Sequence, residues 1–241
     1  MITAKLPAQL DNIESLTRIK KIEYVNYSKY QIFITSIFLA INFTYFTMAP
    51  RILNIFGFPQ PGGILVFPFT FMLSDVITEV YTYNYSKFLI WCVIAMLGLF
   101  TLGTWVSMQM PTILDYGYNA IFSHYPRLYL AISIATLFSF TVNNAIVSKL
   151  KTRWDGQVFW LRSICATGVG HIIFSIVWVV VYHFGEVELS YLLKMICCMY
   201  IWKMIFEILA TPLASFLSWF LKEREGIDAY DIKTNYNPFI L

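Results

Sequence analysis

Four stretches of this chain, residues 30–50, 88–110, 128–148 and 163–185, contain no Asp, Glu, Lys or Arg at all. Each is as long as the roughly 20 apolar residues that an α-helix needs to cross a hydrocarbon core about 30 Å thick. No other feature restricts the fold as much. Inside a bilayer every backbone N–H and C=O must be satisfied by the protein itself, which for apolar runs of this length leaves the helix as the spanning form. Composition agrees, with 58% hydrophobic residues, 13% charged residues and a mean hydropathy of +0.63, against the roughly 25% charged residues of an ordinary soluble domain.

Two further apolar segments are interrupted by charge. Residues 62–83 hold Asp75 and Glu79, and residues 191–221 hold Lys194, Lys203, Glu207 and Pro212. Counting both, the expected fold is an all-α integral membrane protein, a bundle of six transmembrane helices at about 30–50, 62–83, 88–110, 128–148, 163–185 and 191–221. A tail over 1–29 precedes the bundle and a tail over 222–241 follows it. Pro68 is expected to kink the second helix and Pro212 to tilt or break the sixth. The connection over 51–63 carries Pro59, Pro61 and a Gly pair and reads as turn-rich.

The net charge of +3 would suggest nucleic acid in a soluble protein, but here the basic residues mark topology. Lys and Arg concentrate in the first tail, at Lys87, between Lys149 and Arg162, and at Lys222, Arg224 and Lys233, whereas Arg51, Arg127 and Lys194 fall in the alternate loops. The excess of positive loops on the cytoplasmic side puts both termini there, N-in and C-in. Cys92, Cys165, Cys197 and Cys198 all sit in apolar segments with no metal-ligand spacing and are expected to be free thiols.

Asp75 and Glu79 are the residues that need a reason. A carboxylate in a membrane helix costs roughly 2.5–3.5 kcal/mol on insertion scales, so it is seldom present without a partner, a cavity or a task. Their spacing of four puts both on one helix face, and Phe71, Thr78, Thr82 and Tyr83 are expected on that face as well, giving a polar and aromatic wall that points into the bundle. Lys203 and Glu207 in the sixth span repeat the spacing of four and could neutralise each other or the acids of the second helix. His171 in the fifth span could be a satisfied core histidine or a ligand group. Asn143 and Asn144 near the end of the fourth could cap or bind. Enzyme templates fit badly, with no G-x-S-x-G, H-E-x-x-H, Walker loop or paired Cys/His spacing. No catalytic residue, metal site or cofactor is expected.

The run FPFTFMLSDVITEVYTYNYSKFLIW resembles the signature P-x-T-F-x-x-x-D-x-x-x-E-x-Y-G-Y of the queuosine precursor transporter family, also called the vitamin uptake transporter family. VNNAIVSKLKTRWDGQVFWLRSICATGVGHIIFSIVWVVVYHFG resembles its fourth loop and fifth helix, and YIWKMIFEILATPLASFLSWFLKEREGIDAYD its last helix and tail. Thr82 stands where the family usually has Gly. His171 and Phe174 stand where an acid or amide and then an Asp are usual.

The resemblance implies a transporter of the bacterial inner membrane that imports a 7-deazapurine: 7-cyano-7-deazaguanine, 7-aminomethyl-7-deazaguanine or queuine. It also implies a substrate site that includes Phe71, Asp75, Glu79, Arg162, Lys203 and Glu207, to which Tyr83, Asn143 and His171 are added from the residue reading. In that site Asp75 or Glu79 would read the base edge and the sixth helix would balance the remaining charge. The expected partners are the substrate and the lipid bilayer, with no nucleic acid, and a homodimer stays open. The alternatives are a substrate-binding membrane subunit of an ATP-driven vitamin or nucleobase importer, and an intramembrane enzyme.

Overall fold

The computed structural model describes residues 28–55, 57–183, 185 and 187–240. Most of the tail expected over 1–29 therefore lies outside the described residues. The helices are α1 (Lys29–Met48), α2 (Phe67–Tyr81), α3 (Tyr83–Met108), a short α4 (Tyr118–Phe122), α5 (Tyr125–Arg153), α6 (Phe159–His183) and α7 (Leu189–Glu225). Five candidate spans, corresponding to α1, α3, α5, α6 and α7, are long and apolar enough to cross a membrane.

The sixth, α2, is different. Its 15 residues rise only about 22 Å at 1.5 Å per residue, and every one except Phe69 is buried. It packs against α1, α3, α5, α6 and α7, so it is the hub of the bundle and its polar side chains meet other helices rather than lipid. The outer surface is the reverse of a soluble protein's. Leu99, Leu102, Ile201, Leu209 and Phe216 are exposed, whereas Asp75, Asn143, Arg162, His171, Lys203 and Glu207 are fully buried. The chain is a multi-pass membrane helical bundle.

Several boundaries differ from the sequence reading. The connection after α1 is an antiparallel hairpin of β1 (Ile52–Ile55) and β2 (Phe58–Pro61), in register with Ile52 opposite Pro61 and Ile55 opposite Phe58. A 3-10 turn over Gly62–Leu65 leads into α2, which begins at Phe67 rather than at residue 62. Pro68 lies in its first turn, where a missing N–H is harmless, so it starts the helix instead of kinking it. A Cβ on Gly63 would lie 2.5 Å from the Tyr45 ring, so that turn needs a glycine to approach α1. The other extreme is α7, whose 37 residues run unbroken through Pro212. Its length of about 55 Å exceeds the hydrocarbon core, and tilt or projection must absorb the excess. All four cysteines are free thiols.

Both described ends of the chain meet at one end of the bundle. The Tyr30 ring at the start of α1 packs edge-on against Phe220 near the end of α7, with centroids 5.9 Å apart. After Gly226 ends α7 in the left-handed conformation (φ 64°), residues 227–240 fold back as a strap. Ser148 Oγ and the Tyr83 N–H donate to Asp231 Oδ2 at 2.7 and 2.8 Å. Trp91 Nε1 donates to the Pro238 carbonyl at 2.9 Å, and the Lys87 ammonium donates to the Ile240 carbonyl.

Between α2 and α3, Thr82 adopts φ 123°, ψ 161°, a region that a β-branched residue occupies only under strain of order 1–3 kcal/mol. Its hydroxyl accepts from the Tyr85 N–H at 3.4 Å, which is weak compensation. We expect Thr82→Gly to raise the thermal unfolding midpoint of the detergent-solubilised protein. A lower midpoint would mean that the hydroxyl cap outweighs the backbone strain.

Candidate functional site

Four polar stripes converge on the hub. On α6, Ser163, Thr167, His171 and Ser175 recur every four residues, which places them on one face, and all four are buried. On α7 the stripe is Lys203, Glu207 and Thr211; on α5 it includes Ser139, Asn143, Asn144, Val147 and Lys151; on α2 it is Phe71, Asp75 and Glu79. Helices α5 and α6 come close to α2 because Gly170 has no side chain: a Cβ there would stand 2.7 Å from the Phe71 ring and 3.2 Å from Asn143.

The two acids of α2 are met by different donors. Asp75 receives only neutral ones. Asn143 Nδ2 donates to Oδ1 at 2.5 Å, while Ser163 Oγ and Thr167 Oγ1 donate to Oδ2 at 2.5 and 3.0 Å. The network continues from Asn143 Nδ2 to Asn144 Oδ1 at 3.1 Å, which also accepts from Ser74 Oγ at 2.9 Å. Asn143 and Asn144 are therefore inside the bundle, facing α2, not capping a helix end.

Glu79, one turn along, is met by cations. Arg162 grips it with two prongs, Nη1 to Oε2 at 2.7 Å and Nη2 to Oε1 at 3.0 Å, and Lys222 Nζ donates to Oε1 at 2.7 Å. The remaining Arg162 donors reach the carbonyls of Gln157 at 2.9 Å, Gly156 at 3.1 Å and Val147 at 3.4 Å. Lys151 Nζ stands 4.0 Å from the Glu79 carboxylate and donates to the Glu79 carbonyl at 2.6 Å. Lys151 and Lys222 also bind Asp228 of the strap, at 2.6 and 2.8 Å. Partial burial pushes the Asp228 carboxyl up, but the hydrogen bonds from Lys151 and Lys222 outweigh it and hold the group below its usual range.

A third group lies between α2, α6 and α7. Lys203 Nζ sits 3.8 Å from the Phe67 ring centroid and 4.3 Å from that of Phe174, and donates to Ser175 Oγ at 3.3 Å. The His171 ring lies 4.6 Å from Phe71 and 5.4 Å from Phe67. Both nitrogens of His171 and both oxygens of Glu207 are buried without a hydrogen-bond partner among the described residues, and so are Asn144 Nδ2 and Trp178 Nε1. A polar group left this way in a bilayer interior costs several kcal/mol unless something supplies its partner.

The structure thus brings Phe71, Asp75, Asn143, His171, Lys203 and Glu207 into one buried region and sets Glu79 with Arg162 at the strap end of it. Tyr83 does not join them. Because α2 ends at Tyr81 and the backbone turns sharply at Thr82, Tyr83 opens α3, where its hydroxyl donates to the Tyr236 carbonyl at 3.0 Å. Sequence reasoning missed Ser163 and Thr167, although their spacing from His171 was a readable signal. It also missed the cage residue Phe67, had Phe174 only as a departure from the family pattern, and missed the cluster of Lys151, Lys222 and Asp228, whose meeting depends on the strap. Among the described residues no cluster of His, Cys, Asp and Glu could hold a metal ion.

A family model described as "Putative vitamin uptake transporter" matches residues 61–217, which takes in α2 through most of α7 and every group above except Lys222, Asp228 and Tyr236. No curated protein and no solved structure matches the chain.

The Glu79–Arg162 contact is two-pronged and fully buried, a geometry that a lysine ammonium does not reproduce. Arg162→Lys removes the two-pronged contact and most of the carbonyl contacts, so a marked drop in the thermal midpoint and in membrane abundance is expected; an unchanged midpoint would show that the Glu79–Arg162 pair does not hold the bundle. The half-exposed Asp228 should respond to pH. A carboxyl held below its usual value stabilises fully above about pH 3.9 and loses that contribution as pH falls through its lowered value. Protection of the strap from carboxypeptidase digestion, read after pulses at graded pH, should therefore be constant from pH 7 to 5; loss near pH 6 would contradict the assignment.

Proposed function

The chain belongs to the putative vitamin uptake transporter family, and from that premise we propose that it imports queuosine precursors, 7-cyano-7-deazaguanine, 7-aminomethyl-7-deazaguanine or queuine, across a bacterial inner membrane. One observation carries the reading: in the middle of the bundle His171, against the Phe67 and Phe71 rings, and Glu207, one turn from Lys203 on α7, are fully buried and have no hydrogen-bond partner among the described residues. Flat aromatic surfaces and unspent polar atoms at one place suit a planar heterocycle with several donors and acceptors, which stacks on rings and bonds at its edges.

The basic residues support an orientation. Lys87, Lys149, Lys151, Arg162 and Lys222 gather at the strap end, and the positive-inside bias makes that end cytoplasmic. Substrate would then leave past Glu79, Arg162 and the strap. With its polar groups buried, the described conformation is closed, and transport requires at least one opening on each side.

The test is uptake of radiolabelled queuine and 7-cyano-7-deazaguanine by cells that lack both their synthesis and other salvage routes. Wild type is compared with Asp75→Asn at equal membrane abundance. Accumulation that falls at least about tenfold in the variant supports the reading. No accumulation of either base by well-inserted wild type contradicts it.

A further inference from the structure

We infer that Glu207 is the carboxylate that reads the base edge, with Lys203 one turn away as its complementary donor, so that the site selects a 2-aminopyrimidin-4-one edge. The inference rests on the reading above and assigns specificity within it.

The three membrane carboxylates are not equivalent as acceptors. Glu79 is taken up by Arg162 and Lys222, and Asp75 by Asn143, Ser163 and Thr167. A ligand that used either would first have to break bonds already made inside a dry interior, at the full desolvation cost of the groups released. Glu207 has both oxygens unspent among the described residues. It is fully buried, as is Lys203, and their spacing of four sets them on one face of α7, about one 5.4 Å turn apart.

That pair reads as an acceptor next to a donor. A 2-aminopyrimidin-4-one presents the complement along one edge: a carbonyl oxygen, then a ring N–H, then an exocyclic N–H. Two parallel N–H groups match the two oxygens of a carboxylate, and the carbonyl matches the Lys203 ammonium, whose only hydrogen bond among the described residues is a long one to Ser175. Phe67 and Phe174, which flank Lys203 at 3.8 and 4.3 Å, would stack on the ring. An adenine-like edge, with an acceptor where the ring N–H stands, would place a lone pair against Glu207. Asp75 keeps a positioning role: it ties α2 to α5 and α6 and lies within electrostatic reach of Glu207.

Both 7-deazaguanines and pterins carry this edge, so the experiment includes each. Full-length protein in lipid nanodiscs is titrated with 7-cyano-7-deazaguanine, with the analogue that lacks the 2-amino group, and with 6-hydroxymethylpterin. Wild type should bind the amino-bearing deazapurine about 100-fold more tightly than the analogue, and Glu207→Gln should reduce that ratio below about tenfold. Because Glu207 has no hydrogen-bond partner among the described residues, the variant should be at least as heat-stable as wild type when empty, which a merely structural acid would not allow. Should it fail to fold, Glu207→Asp serves instead, with weaker binding of the amino-bearing base and the preference retained.

Wild-type binding without preference for the amino group overturns the assignment, and so does a preference that survives Glu207→Gln undiminished. Tight, Glu207-dependent binding of the pterin alone would keep the assignment and overturn the deazaguanine reading. Binding of none of the three would overturn both.

Discussion

A carboxylate inside a bilayer must be matched by donors or by a ligand, and the arrangement of this protein follows from doing so three times. Glu79 is matched by charge, through Arg162 and Lys222. Asp75 is matched by neutral groups, Asn143, Ser163 and Thr167. Glu207 has no hydrogen-bonding match among the described residues. The first two solutions require α5, α6 and α7 to close on the short helix α2, and the Cβ-free face of Gly170 lets α5 and α6 do so. The third leaves capacity unspent at the place where aromatic rings also gather.

This division separates holding from binding along one axis. At one end the Glu79 cluster joins α2, α5, α6, α7 and the strap through Arg162, Lys151, Lys222 and Asp228. Farther in, the Asp75 network joins three helices through neutral donors. Beyond it lie Lys203 and His171 among Phe67, Phe71 and Phe174, with Glu207 one turn from Lys203 on α7. A transporter needs elements that stay together while others separate, and both acids of α2 are bonded to α6.

Much of the fold was legible because uncharged runs long enough to span a membrane have few alternatives, and the five long helices overlap them. Asp75 and Glu79 were legible as intramembrane acids on one face. What the sequence did not show were contacts made by distant segments. The hairpin at residues 52–61 consists of short strands rich in turn residues, with no alternating pattern to read. The strap meets Lys87, Ser148 and Lys151 only because α7 returns it to the same end as the start of α1. Tyr83 left the expected wall because a helix pattern cannot announce a backbone break at a threonine, and Thr82 adopts φ 123°. That break stands where the resembling family usually has Gly, a residue for which the conformation carries no strain. Which acid remained free to bind could not be read from spacing, since Asp75 and Glu207 differ only in what other helices bring to them.

The most direct measurement is a structure of the protein with 7-cyano-7-deazaguanine bound. A planar bicyclic ligand is expected between the Phe67, Phe71 and Phe174 rings, with its amino edge on Glu207 and its carbonyl toward Lys203, and with Asp75 still held by Asn143, Ser163 and Thr167. A base seated elsewhere, or one bonded to Asp75 or Glu79 while Glu207 stays without a partner, would contradict it.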